Sequence, residues 1–330
     1  MIRTLIPFCA CALLAHTLPA QPRAIRPAHT YSIVAMDSAT GQLGVAVQSH
    51  WFSVGSVVTF AEPGVGAVAT QSFVEPAYGP RALALMRTGV AAPEALAALL
   101  RADADSQVRQ VAIIDADGRV AAHTGSRNIP AAGHRVGTRY SVQANLMRDD
   151  AVWPAMSRAF ETARGDLADR MLAALEAAEA SGGDIRGKQS AAMIVVSGHR
   201  AARPWQKLID IRVEDSGDPL GELRRLLRVA RAYQAATDGD NYVTSGKVDS
   251  ALAAYGRAAT ILPDSATNGE LVYWQAVTLT DLGRTDEAVP LFRRAFAQDE
   301  SWIELLWRLP RVGLLQADSS TIADVVRRAR

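Results

Sequence analysis

The chain has 330 residues, of which 49% are hydrophobic, 21% charged and 6% aromatic. That composition excludes a disordered protein and suffices for one large core or two smaller ones. The formal net charge is +1, from 35 basic and 34 acidic side chains, so neither a nucleic acid nor an acidic membrane surface is expected as a partner. Only three of the basic residues are lysines, Lys188, Lys207 and Lys247, which leaves few candidates for a lysine base.

The first twenty residues read as a targeting segment. Arg3 is followed by an apolar run from Leu5 to Leu14, about ten residues and too short to span a bilayer. Leu18-Pro19-Ala20 then places a small residue before Gln21. The pattern predicts a secretory signal over residues 1–20, cut after Ala20, and a periplasmic or secreted protein with no membrane association once the signal is removed. Cys9 and Cys11 both lie inside it. The exported chain would therefore carry no thiol and no disulfide.

From Thr30 to about Val213, short apolar runs alternate with glycine turns. Tyr31–Met36 and Leu43–Gln48 flank the turn Asp37-Ser38-Ala39-Thr40-Gly41-Gln42, a hairpin signal. Val54–Ala61 and Val65–Ser72 form a second pair around Glu62-Pro63-Gly64, and Pro76–Arg81 reads as a rigid loop. Ala91–Ala102 is helical, with Leu96, Leu99 and Leu100 in one stripe. Val108–Asp115 and Arg119–His123 make a third hairpin around Ala116-Asp117-Gly118, and Ser141–Ala144 is a short strand. Trp153–Glu179 predicts two helices broken near Gly165-Asp166, before final strands at Ser190–Val196 and Leu208–Val213. Strands, helices and strands joined mostly by hairpins define an α+β fold with antiparallel sheets covered by helices.

From Asp218 the texture is all-helical. Ala251, Tyr255 and Ala258 recur as Ala288, Phe292 and Ala295 after 37 residues, and Ser245–Ala251 parallels Leu282–Ala288. That offset is close to the about 34 residues of a tetratricopeptide repeat. Flanking helices are expected over Leu220–Ala236 and Ser301–Leu315. This region, residues 218–330, reads as an interaction module for a protein partner.

Chemistry is therefore sought in the first region. His50, His123, His134 and His199 are scattered without ligand spacing, so no metal and no cofactor is expected. No Gly-x-Ser-x-Gly elbow occurs, and Gly64-Val65-Gly66 lacks the helix that a phosphate-binding loop requires. Four polar groups in β-like surroundings remain. They are Gln71-Ser72 with Tyr78 and Arg81, His123-Thr124-Gly125, Gln143-Ala144-Asn145, and Asp184 to Ser190. Amide, hydroxyl and carboxylate groups at strand ends supply what acyl transfer needs: an oxyanion donor, an orienting acid and a proton carrier.

Thr30–Ala35, Gly64–Gln71, Tyr78-Gly79, Val142–Asn145 and Gly182–Ala192 together resemble the domain-of-unknown-function family 1028, over about three fifths of the chain. The resemblance implies a four-layer αββα sandwich of the N-terminal-nucleophile hydrolase type over residues 28–217. It also implies Thr30 as the nucleophile. In such a site the freed α-amine, with an ordinary pKa near 8, takes the hydroxyl proton. Thr30 is preceded by Gln21 to His29, so a second cut, between His29 and Thr30, is needed to free that amine. Asn145 is expected as oxyanion donor, Asp184 to orient the amine, and Ser190 as relay, with Ser32 in reserve as nucleophile. Gln71, Tyr78, Arg81 and Gln143 are expected to hold a small-molecule or peptide ligand. The alternative is a catalytically silent sandwich that binds a ligand or a cell-wall fragment.

Overall fold

The frame starts with one strand buried on both faces. In the computed structural model, which describes residues 30–330, β1 (Thr30–Met36) pairs antiparallel with β2 (Leu43–Ser49), Thr30 opposite Ser49 and Met36 opposite Leu43. The expected signal, residues 1–20, lies outside the described residues. Alternation along β1 sends Tyr31, Ile33 and Ala35 to one core and Val34 to another, as the period of two requires.

The chain continues as α1 (Gly55–Val58), β3 (Thr59–Glu62), β4 (Gly66–Ser72), α2 (Tyr78–Arg87), α3 (Ala92–Ala102), β5 (Arg109–Asp115) and β6 (Val120–Thr124). Then come β7 (Gly133–Gly137), β8 (Tyr140–Ala144), α4 (Val152–Thr162), α5 (Leu167–Ala180), β9 (Ser190–Val196) and β10 (Lys207–Val213). Two sheets result, ordered β10-β9-β2-β1-β8-β7 and β3-β4-β5-β6, with every pairing antiparallel.

Three apolar cores hold four layers together. Tyr78, Leu83, Met86 and Leu96 of α2 and α3 pack on Val68, Val111 and Ile113 of the smaller sheet. Val34, Val45, Val47, Ala69, Ile114 and Ile194 fill the space between the sheets. Met156, Phe160, Met171 and Leu175 of α4 and α5 cover the outer face of the larger sheet.

The structure corrects the sequence reading in four places. Val54–Ala61 is half helix, because Val54 and Val58, four apart, are both fully buried and the Thr59 hydroxyl donates back to the Gly55 carbonyl. Pro76–Arg81 is not a loop but the entry to α2, so Tyr78 and Arg81 ride on a helix. Strand β7, Gly-His-Arg-Val-Gly, is largely exposed and showed no apolar period. The helix Ser319–Ala329, α11, was also not foreseen.

Beyond the sheets run α6 (Pro219–Thr244), α7 (Val248–Ile261), α8 (Glu270–Asp281), α9 (Thr285–Gln298), α10 (Ser301–Arg308) and α11. Helix α6 belongs to two cores. Leu220, Leu223 and Leu227 pack with α4 and α5, whereas Ala232 and Ala235 pack with Ala258 and Leu271. Arg231 ties the same helix to Asp166 and Asp169 at the start of α5.

The turns α6–α7 and α8–α9 are alike at an offset of 37 residues. Gly246 and Gly283 have φ of 69° and 72°, the left-handed conformation that glycine adopts at a helix C-terminus without a Cβ penalty. Each is followed by the same hydrogen bond, Lys247 N–H to Tyr242 O and Arg284 N–H to Leu279 O, both 2.8 Å. Tyr255 and Phe292, the large residues of the two stretches, are both buried. The Phe292 ring packs against Phe296 and edge-on to Tyr273. Phe292→Ala is expected to destabilise the protein by about 3–5 kcal/mol, read as a lowered denaturation midpoint. An unchanged midpoint would show that this ring does not anchor the helical core.

Candidate functional site

The space between the sheets is apolar at one end and polar at the other. At the polar end, where β1 begins, Ser32, Gln71, Gln110, Gln143 and Asn145 are all fully buried. Their hydrogen bonds run in one direction. The Ser141 hydroxyl donates to Gln143 Oε1 (3.0 Å), Gln143 Nε2 to Ser32 Oγ (2.6 Å), and the Ser32 hydroxyl to Gln71 Oε1 (2.6 Å). Gln71 Nε2 donates to Gln110 Oε1 (2.7 Å), and Gln110 Nε2 donates to Thr124 Oγ1 (2.9 Å). Thr124 Oγ1 in turn lies 2.8 Å from His134 Nδ1. Head-to-tail bonds in a low-dielectric interior polarise one another, and each fixes which end of the next amide carries oxygen.

Gln110 is the hub. Its oxygen also accepts from Asn145 Nδ2 at 2.8 Å, and its nitrogen also donates to the Ala144 carbonyl at 2.9 Å. Sequence reading placed Gln110 inside an apolar strand and did not single it out. The signal available was an amide in the middle of Val-Arg-Gln-Val-Ala-Ile-Ile, where strand alternation predicts a buried side chain. Gln110→Leu keeps the volume but strands the amide donors of Gln71 and Asn145. It is expected to cost about 2–5 kcal/mol in urea unfolding. A loss below about 0.5 kcal/mol would remove Gln110 as the organising group.

Thr30 opens β1 and is fully buried. Its hydroxyl lies 3.3 Å from Ser49 Oγ. Its carbonyl accepts from the Asn145 backbone N–H (3.1 Å), Gln71 Nε2 (3.2 Å) and Asn145 Nδ2 (3.5 Å). Thus Thr30, Gln71, Gln143 and Asn145 are brought together.

Asp184 and Ser190 stand beside this group with their polar atoms engaged elsewhere. Both Asp184 oxygens accept from Arg186, and one accepts from the His50 N–H. The carboxylate locks its loop to the residue that follows β2. It remains close enough to act on Tyr31. That phenol's pKa is raised by burial, by Glu179, to which its hydroxyl donates, and by the charge of Asp184. The Ser190 hydroxyl donates to Trp51 O and accepts from Val54 N–H, which fastens the turn after β2.

Tyr78 and Arg81 are placed elsewhere, because α2 covers the outer face of the smaller sheet. With Glu75, Leu99, Ala102 and Asp103 they line a separate cavity of about 160 Å³. The Tyr78 hydroxyl donates to Asp103, and burial and that carboxylate push its pKa well up. Arg109 donates to Asp103 at 2.8 Å. Burial works against the Asp103 charge, but the hydrogen bonds and charge of Arg109 outweigh it and hold the carboxyl below its ordinary value. A depressed folded pKa adds stability above the unfolded value near 3.9, and that stability is lost as pH falls through the folded pKa. Asp103→Asn should therefore melt below the wild type at pH 7, with the gap closing as pH drops below about 4. A gap independent of pH would show that charge is not what Asp103 contributes.

Strain gathers at the same end as Thr30. Five non-glycine residues among those described have a left-handed φ. Three of them lie at or shortly after strand ends: Ser53 (54°) four residues past β2, Ser72 (71°) as the last residue of β4, and Leu146 (55°) two residues past β8. Each such residue costs about 1–3 kcal/mol unless the surroundings enforce it. Among the described residues no three His, Cys, Asp or Glu side chains come together as a metal site would need.

Two antiparallel sheets with helices on both outer faces, enclosing a polar end and followed by a helical region, define a mixed α/β protein built around one inter-sheet site. The chain belongs to the family of unknown function DUF1028, whose model matches residues 30–223. The crystal structure of a protein of that family from Silicibacter pomeroyi is similar at 30% identity and a TM-score of 0.55, over 61% of this chain and 86% of the other. Anbu (ancestral beta-subunit) from Yersinia bercovieri matches at 14% identity and a TM-score of 0.31, over 59% of this chain and 92% of its own. The comparison with curated proteins gave no match.

Proposed function

We propose that this chain is an exported amide hydrolase of the N-terminal-nucleophile type, with an αββα sandwich and Thr30 as nucleophile. The observation that carries the reading is the position of Thr30 on a central strand, with two side-chain amides converging on its carbonyl at the polar end of the inter-sheet space. A cut between His29 and Thr30 turns an inert backbone amide into a free amine. That amine takes the Thr30 hydroxyl proton as the oxygen attacks a substrate carbonyl. The tetrahedral oxyanion is met by a neutral N–H donor, the role given to Asn145. Collapse expels the amine product with the proton and leaves an acyl ester on Thr30. Water, activated by the same amine, releases the acid.

Gln71 and Gln143 position the strand that carries the nucleophile and leave substrate contact to other groups. The turns repeated at 37 residues, with Tyr255 and Phe292 at matching places, support a tetratricopeptide-like module that docks a protein partner. Export, to the periplasm or beyond, follows from the apolar segment before Ala20.

A second reading, a silent ligand-binding sandwich, is favoured by one fact: Thr30 is closed from solvent. The mass of the mature protein separates the two. An N-terminus at Thr30 supports the hydrolase, and one at Gln21 supports the binder. In a chain beginning at Thr30, Thr30→Ala should abolish hydrolysis of an amide and lactam panel, by at least about 10³-fold, without shifting the melting temperature by more than a few degrees. Equal turnover in that variant would exclude Thr30 from the chemistry.

A further inference from the structure

The cavity where the start of α2 meets the end of α3 holds opposite charges that do not meet. Glu75, Tyr78, Arg81, Leu99, Ala102 and Asp103 line this space of about 160 Å³. Asp103 is fully engaged. One of its oxygens accepts from the Tyr78 hydroxyl at 3.1 Å and from Arg109 at 2.8 Å, and the other accepts from the Asp105 N–H at 2.9 Å.

Glu75 and Arg81 are in a different state. The Glu75 carbonyl accepts from the Thr70 hydroxyl and the Tyr78 N–H, both at 3.2 Å. Its carboxylate Oε1 accepts from the Ala77 N–H at 3.0 Å. These bonds fix the residue and leave Oε2 uncommitted. Its charge acts on the cavity wall: burial and then Asp103 raise the pKa of the Tyr78 phenol, and Glu75 adds to the rise. Arg81, one turn beyond Tyr78 on α2, makes no ion pair with Glu75 or with any other described residue.

A carboxylate and a guanidinium that share a cavity without pairing offer a guest one acceptor and a fork of donors. A simple anion would meet the fork but also the repulsion of Glu75. A simple cation would meet Glu75 but also the repulsion of Arg81. A guest that carries both charges satisfies both. Volume sets its size. A cavity of about 150 Å³ takes up one benzene, roughly six non-hydrogen atoms, which is the count in alanine. Leu99 and Ala102 supply the apolar wall that its methyl group requires.

We infer that this cavity binds a free α-amino acid with a small apolar side chain, its carboxylate on Arg81 and its ammonium on Glu75. The Tyr78 oxygen, whose own proton goes to Asp103, accepts a further ammonium hydrogen. The inference is independent of the Thr30 reading, because these residues lie on the helix side of the smaller sheet.

Calorimetric titration of the full chain tests it. L-alanine is compared with alaninamide, which keeps the ammonium but lacks the carboxylate, and with propionate, which keeps the carboxylate but lacks the ammonium. Alanine is expected to bind, and each singly charged analogue to bind at least about tenfold more weakly, the loss of one charge-assisted contact. Arg81→Met should abolish the preference for alanine over alaninamide, and Glu75→Gln the preference over propionate. Each variant removes the group that recognises the missing charge. Glutamine keeps an acceptor for the Ala77 N–H and Arg81 has no ion pair to lose, so both variants should melt close to the wild type. If either unfolds, the three ligands on the wild type still decide. Absence of alanine binding at about 10 mM, tenfold above a millimolar dissociation constant, overturns the site. So does equal affinity for either analogue, or a preference for alanine that survives both substitutions. A chain that hydrolyses an amide yet ignores alanine removes only this site. One that binds alanine with these preferences yet hydrolyses nothing removes only the Thr30 chemistry.

Discussion

The architecture depends on the one-way chain of side-chain amides that crosses between the two sheets. Apolar contact alone would let two sheets slide, since dispersion and burial have little directionality. A file of amides in which each oxygen meets the next nitrogen tolerates no such slip. Moving β4 by one residue would turn Gln71 out of the gap and break its hydrogen bonds to Gln110, Ser32 and Thr30 O together. The polar end is thus the part of the sandwich with the sharpest register. The apolar end, built on Val34, Val45, Ile114 and Ile194, supplies most of the burial.

That division explains why strain is tolerated where it is. Ser72 closes β4 and Leu146 lies two residues past β8, two strands whose positions the amide file already dictates, so the backbone there has little freedom to relax. The same file holds Thr30 by its carbonyl, and its hydroxyl lies beside that of Ser49. The carboxylate of Asp184 is neutralised by Arg186.

Much of the fold was legible because hairpins announce themselves locally. Tyr31–Met36 and Leu43–Gln48 alternate around a turn of Asp, Ser and Gly, and the structure pairs them residue for residue. Strand β7 was not legible, since its residues are polar and exposed and its place is set by pairing with β8. The start of α2 was hidden by Pro76, Gly79 and Pro80, which read as a turn. Its burial against Phe60, whose ring leaves no room for a side chain at Gly79, is a tertiary fact. At the site, Gln71, Gln143 and Asn145 could be picked out as amides closing apolar strands. Gln110 could not, because its importance lies in what four other strands aim at it. The anchoring of Ser190 to Val54 and of Asp184 to the His50 N–H was likewise invisible, as those partners lie about 135 positions away in the chain.

Helix α6 carries a consequence for how this protein can be dissected. The family match ends at residue 223, yet Leu227, one turn further, is packed in the core beneath α4 and α5, and Arg231 reaches back to α5. A fragment trimmed at the match boundary would leave an open apolar slot and two uncompensated aspartates on its surface. The helical region in isolation would lack the first turns of its opening helix. The two halves share a single rod as a hinge pin is shared by two leaves. The same helix packs on β9 and β10, so the strand that carries Ser190 shares its cover with the helical region.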